Sequence, residues 1–196
     1  MESFLVVGFG CVCQICLHSW RLHVICPVPQ PLGLLNVMKL ASLLTPDQVI
    51  LDLKGDMCSE ATAAIIDHLI SKQLLAAGLR DEVLELLKER ERQISTGIGS
   101  GVAIPHAFSD SVDKVVAAFA RSKTGVDFEA LDNAPVNFII LFIVPKKEYN
   151  MHLQTLAAIA RMFNNCEVRK QLMEVQDAKG VLDIFASRPS RISFEQ

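Results

Sequence analysis

One histidine in this sequence is delivered by its own chain to a place where it could do chemistry. It is His106, which closes the stretch Ser95-Thr96-Gly97-Ile98-Gly99-Ser100-Gly101-Val102-Ala103-Ile104-Pro105-His106. Glycines at alternate positions let the backbone take positive φ and turn its N–H groups to one side, a concave nest suited to an anion. Pro105 narrows the backbone before the histidine and holds Ile104 extended. The spacing is not the dinucleotide fingerprint, which needs its third glycine further on and a helix behind it. It is not a P-loop either, because no Gly-Lys-Ser/Thr closes it. Spacing alone leaves two readings open, a catalytic His106 and a plain turn carrying a structural histidine.

The elements around this stretch must hold it in place. Residues 45–47 read as a turn and 49–53 as a first strand. Ser59 is placed to cap a helix in which Ile65, Ile66, Leu69, Ile70 and Leu74 recur at helical spacing until Gly78. His68 falls on its flank with no motif around it and reads as structural. Asp81 starts a second amphipathic helix, whose charged end Lys88-Glu89-Arg90-Glu91-Arg92 runs up to the glycines. Residues 102–104 form a brief buried strand ending at the histidine, and 115–121 an alternating strand followed by a turn at Gly125. Residues 136–144 are almost continuously apolar, the mark of a strand covered on both faces. A polar loop is expected over 146–150, then a helix opened by His152, and two short helices over 167–175 and 179–185 with Asp177 as a cap. The expected fold is α/β, a mixed central β-sheet with helices on both faces in a single domain.

Four local patterns carry a resemblance. They are Leu43-Leu44-Thr45-Pro46 running into Val49-Ile50-Leu51-Asp52-Leu53; Arg90-Glu91 ahead of Ser95-Thr96-Gly97-Ile98-Gly99 and Ala103-Ile104-Pro105-His106; Gly125-Val126-Asp127-Phe128 with Asp132 and Pro135-Val136; and His152-Leu153. In order and spacing, residues 38–185 resemble the EIIA domain of the phosphoenolpyruvate-dependent phosphotransferase system, in its fructose/mannitol class and most closely its nitrogen-regulatory branch. The resemblance implies that His106 accepts a phosphoryl group from a small histidine phosphocarrier protein, and that His152 and Arg90 stabilise that group. Thr96, Gly99 and Gly101 are the expected phosphate-binding loop residues. It also implies a phosphotransferase working through phosphohistidine, either as a nitrogen-type signal to regulated target proteins or as a relay to a sugar-specific EIIB cysteine. Histidine suits the task, since near neutral pH its imidazole has a nitrogen free to attack phosphorus. No cofactor is called for and no metal ligands are evident in the domain. Phe108 stands where the resemblance leads one to expect a basic residue.

Composition agrees with a protein partner. The 196 residues carry a formal charge of −3, without the basic face a nucleic-acid binder needs or a polybasic membrane patch. Residues 1–37 differ from the rest: Glu2 and Arg21 are their only formal charges, yet they hold Cys11, Cys13, Cys16, Cys26 and the single tryptophan. The apolar run over 4–17 falls short of the roughly 20 residues that span a bilayer. Glu2 stands where a signal peptide would be basic, and the Cys13, Cys16, His18, His23 and Cys26 spacings match no familiar zinc finger. Met38-Lys39-Leu40 reads as the true start, residues 1–37 as a leader from a misassigned start codon, and 38–196 as a cytoplasmic EIIA-type domain. Cys58 and Cys166 read as buried or semi-buried thiols in a reducing compartment.

Overall fold

The computed structural model describes residues 40–187; the leader, the boundary at Met38 and the tail from 188 lie outside them. The elements in chain order are α1 (Leu40–Leu43), β1 (Val49–Ile50), α2 (Cys58–Ser71), α3 (Arg80–Gln93), β2 (Gly97–Gly99), β3 (Val102–Ala103), β4 (His106–Ser109), β5 (Val116–Val126), β6 (Val136–Pro145), α4 (Tyr149–Asn164), α5 (Cys166–Glu174) and α6 (Ala178–Ser187). The strands form one mixed six-stranded sheet in the order β1-β5-β6-β3-β2, with β4 also on β6. This is the α/β architecture expected from the sequence.

β6 is the centre because nearly every residue in it is buried, with β5 antiparallel on one side and β3 and β4 parallel on the other. One face carries α2 and α3, whose Ile65, Leu69, Val83 and Leu87 pack on Ala118, Ile139 and Leu141. The opposite face carries α4, α5 and α6, whose Ile159, Phe163, Leu172 and Phe185 pack on Phe119, Phe138 and Ile140. Alternate residues of β6 therefore feed different cores, which is why the sequence there shows no polar alternation.

Several boundaries differ from those read in the sequence. β1 has two residues rather than five, pairing in parallel with Phe119 and Ala120. α2 begins at Cys58, so Ser59 lies inside its first turn and supplies no cap bond. The helix ends at Ser71 rather than running to Gly78. Gln73 takes φ +58°, and the bonds Leu74 N to Leu69 O (2.9 Å) and Gln73 N to Ile70 O (2.9 Å) close a Schellman motif on a residue that is not glycine. The left-handed turn costs about 1–2 kcal/mol, and burial of Leu75 just beyond it offsets that strain. β5 is longer and less alternating than expected, running through Gly125 to Val126 with both faces covered over 117–122. The expected loop over 146–150 is a 3-10 turn (Lys146–Glu148) leading straight into α4.

Other expectations stand as read. Asp177 caps α6 by accepting from Gly180 N at 2.7 Å. His68 is structural, bonded to the Asp47 carbonyl at 2.8 Å. Both described cysteines are free; Cys58 is half-buried as expected, and burial first, then Glu91, Asp127 and Glu129, pushes its thiol up to about 12, but Cys166 is exposed rather than semi-buried, because it is the first residue of α5. Arg121 gave no signal in the sequence, yet it is only 2 % exposed. Its Nη1 donates to the carbonyls of Leu172, Met173 and Val175 at the end of α5, and its Nε to Leu51 O. The negative end of a helix takes the place of a carboxylate here.

Candidate active site

β3 and β4 are consecutive pieces of one strand beside β6, broken at Ile104-Pro105. Phe142 N bonds to Pro105 O (3.0 Å) and Ile104 N to Thr96 O (3.0 Å), so the break costs the ladder little. The histidine is the first residue after it. Its Nδ1 lies 2.9 Å from the carbonyl of Ile104, two residues back. A carbonyl oxygen only accepts, so Nδ1 carries the proton and Nε2 presents a lone pair. Arg90, in the last turn of α3, meets that lone pair from Nε at 3.3 Å, while its Nη1 donates to Ile94 O at 2.8 Å.

His152 reaches the same place from the opposite face. It lies in the first turn of α4 and is 1 % exposed, with its ring centroid 5.5 Å from that of His106. Phe142 (5.1 Å) and Phe108 (5.6 Å) pack against it at steep angles. Its Nε2 is buried and has no hydrogen-bond partner among the described residues. Leaving such a nitrogen unpaired costs about 1–3 kcal/mol, the kind of strain found where a ligand completes a site.

Both imidazoles are held neutral. Burial, and secondarily the neighbouring His106, pushes His152 down to about 4. Burial is also the main reason His106 lies below its ordinary value; the Ile104 carbonyl and Glu91 pull it up, and Arg90 pushes it further down. A neutral, tautomer-fixed nitrogen next to a guanidinium can attack an electrophilic anion while the cation offsets its charge.

The structure thus brings Arg90, His106 and His152 together, while the loop residues have other contacts. Thr96 donates from both N (2.8 Å) and Oγ1 (2.6 Å) to the carboxylate of Glu91. Gly99, Ser100 and Gly101 all have positive φ, as a tight reversal between β2 and β3 requires. The anion at that reversal is the protein's own: Ser100 N donates to Asp132 at 2.7 Å, and this bond with the Ala134 amide lowers the Asp132 carboxyl. Gly101 offers its carbonyl to Asn137 N and Phe138 N. Gly97 has no positive φ; a Cβ there would meet Ala130 at 2.7 Å. In this structure internal carboxylates take the Thr96 and Ser100 donors, so the loop that carries Thr96, Gly99 and Gly101 is braced from within. Sequence reading missed Glu91 and Asp132 as its anchors; a carboxylate shortly before Ser-Thr-Gly was the available signal for Glu91.

Residues 42–188 match the family described as phosphoenolpyruvate-dependent sugar phosphotransferase system, EIIA 2. The chain belongs to this family. It is 41% identical over 107 residues to the fructose-specific EIIA component of Haloferax volcanii, covering 55% of this chain and 70% of that one. It is 30% identical over 154 residues to a nitrogen regulatory protein of Bradyrhizobium diazoefficiens, covering 78% and 98%. The crystal structure of nitrogen regulatory protein IIA-Ntr from Neisseria meningitidis superposes with a TM-score of 0.68 at 31% identity, over 74% of this chain and 97% of that one. Membership makes the chain an EIIA-type protein with a phosphotransfer role. Among the described residues, no helix is long and apolar enough to cross a membrane.

Proposed function

We propose that His106 is the phosphoryl acceptor and that the chain serves as a nitrogen-type regulatory EIIA in the cytoplasm, charged by an HPr-like histidine phosphocarrier protein. The observation that carries this reading is the His106 Nε2 lone pair, set by the Ile104 carbonyl and faced by Arg90, beside the unpartnered Nε2 of His152. His106 Nε2 attacks phosphorus as the bond to the carrier's imidazole breaks, and that bond's electron pair returns to the carrier nitrogen. Nδ1 keeps its proton on Ile104, Arg90 bears on the phosphoryl oxygens, and His152 donates to them from Nε2. Ile94, Ile98 and Leu131 expose apolar surface beside Arg90 and the glycine loop, which suits a protein donor.

Near-complete coverage of the nitrogen regulatory relative supports the regulatory role. The higher identity to a fructose-specific component supports a second reading, relay to an EIIB cysteine. Incubation with phosphoenolpyruvate, the general enzyme and the carrier, followed by mass spectrometry under alkaline conditions, tests the acceptor. An acid-labile label on His106, slower in His152→Ala, is the expected result; acid-stable label on His106→Ala protein overturns it. Adding a fructose-type EIIB separates the two readings, since only a relay hands its label on.

A further inference from the structure

Side chains two apart on a strand share a face, so Phe108 stands beside His106 on β4. Its ring centroid lies 6.0 Å from His106 and 5.6 Å from His152, and the two imidazoles are 5.5 Å apart. The three rings make a nearly equilateral triangle. Phe108 meets both imidazoles edge-on, at 79° and 86°. Phe142 packs on His152 and is fully buried, whereas Phe108 packs on both imidazoles and is half-buried, so it is the ring at the pair that meets solvent. Among the described residues the charged groups facing the pair are Arg90 and Glu91, both from α3, and Glu91 is engaged with Thr96. A lysine or arginine at 108 would carry its hydration into this corner; a phenyl ring excludes water from it.

Building on the reading of His106 as phosphoryl acceptor, we propose that Phe108 is a shielding residue of the phosphorylated state, whose ring keeps water from the phosphorus and so sets how long the group is held. The competing reaction is hydrolysis. A water oxygen attacks phosphorus and forms a P–O bond, the P–Nε2 bond breaks, its electron pair returns to Nε2, and the water's proton leaves with inorganic phosphate or to solvent. A shielded phosphohistidine gives up its phosphoryl group to a docked protein, which displaces the water layer, in preference to water itself. That property suits a protein whose phosphorylated form is a lasting signal.

The test uses the full chain, phosphorylated with phosphoramidate so that no carrier protein needs to recognise the variants. Loss of label is followed at pH 6, 7 and 8 for wild type, Phe108→Leu, Phe108→Ala and Phe108→Lys, with thermal melts as a control for folding. Phe108→Ala and Phe108→Lys should lose label roughly fivefold faster, about 1 kcal/mol of barrier, and Phe108→Leu should stay within about twofold of wild type. Equal lifetimes in wild type, Phe108→Ala and Phe108→Lys at unchanged melts overturn the proposal. A second readout needs no phosphate: nitrogen-15 NMR titration of His152, which should protonate at higher pH in Phe108→Ala than in wild type, and an unchanged titration also counts against the shield. Absence of label on wild type would instead overturn the acceptor reading of His106, and the titration would still decide what Phe108 covers.

Discussion

The glycine reversal between β2 and β3 and the histidine pair beside β4 are built on opposite terms. In the reversal, the Ser100 amide and both Thr96 donors already have a carboxylate, from Asp132 and Glu91. At the pair, His152 Nε2 is buried and unpartnered, and His106 Nε2 has a long contact to a guanidinium. Both regions look polar and purposeful in the sequence, but among the described residues the buried side-chain atom left without a partner is His152 Nε2, at the pair. A saturated polar cluster holds a shape, while an unsaturated buried one has room for a ligand's atoms. The reversal therefore braces α3 against the strand that carries His106, and the proposed phosphoryl chemistry is assigned to the pair.

This contrast is broken most completely by His106→Ala, which should abolish acid-labile labelling while leaving the thermal melt close to wild type. Next, Arg90→Ala should slow phosphoryl transfer by on the order of a hundredfold, as removal of one transition-state donor does, with Arg90→Lys recovering part of the rate. Single-turnover transfer from phosphorylated carrier measures both; wild-type rates would make Arg90 only a helix-end charge. Thr96→Val belongs to the other side of the comparison. It strips one donor from Glu91 and should cost about 1–3 kcal/mol in urea unfolding, yet still label on His106. A stable Thr96→Val protein that no longer labels would return the loop to the phosphate site.

The shallowest effect, spread over several pH units, is the pH dependence of stability. Both histidines have folded values below the ordinary 6.5, His152 at about 4, so below pH 6.5 the unfolded chain binds protons that the folded state refuses. Stability should be level above that pH and decline as pH falls toward 4, by at most about 1.4 kcal/mol per pH unit for each histidine. Urea midpoints at pH 7, 6 and 5 measure the decline, and His152→Gln should flatten part of it. A slope unchanged by His152→Gln would mean that its burial does not control its protonation.

Much of the scaffold was legible because its causes are local. The apolar run of β6 announces a strand covered twice, the heptad-like spacing in α2 and α3 announces amphipathic helices, and Asp177 caps the helix it precedes. The misread boundaries have non-local causes. α2 ends at Ser71 and its Schellman turn falls on Gln73, a residue with no stop signal, just ahead of the buried Leu75, and β5 carries Gly125 inside a strand where Pro135 packs against it, 2.5 Å from where a Cβ would stand. Arg121 was silent for the same reason, since its partners are carbonyls of α5, far along the chain.

At the site the division runs between residue type and residue state. Sequence alone determined that a histidine would follow a proline at the end of a short buried strand, with an arginine at the end of the preceding helix and a second histidine opening a later one. Tertiary structure alone decided which nitrogen of His106 is free, that His152 is held neutral with its Nε2 unpartnered among the described residues, that Phe108 packs edge-on against both rings, and that Glu91 and Asp132 take the Thr96 and Ser100 donors. The reason is physical: a side chain's identity is written in one codon, but its protonation and its unused hydrogen bonds depend on burial and on neighbours that only the folded chain assembles.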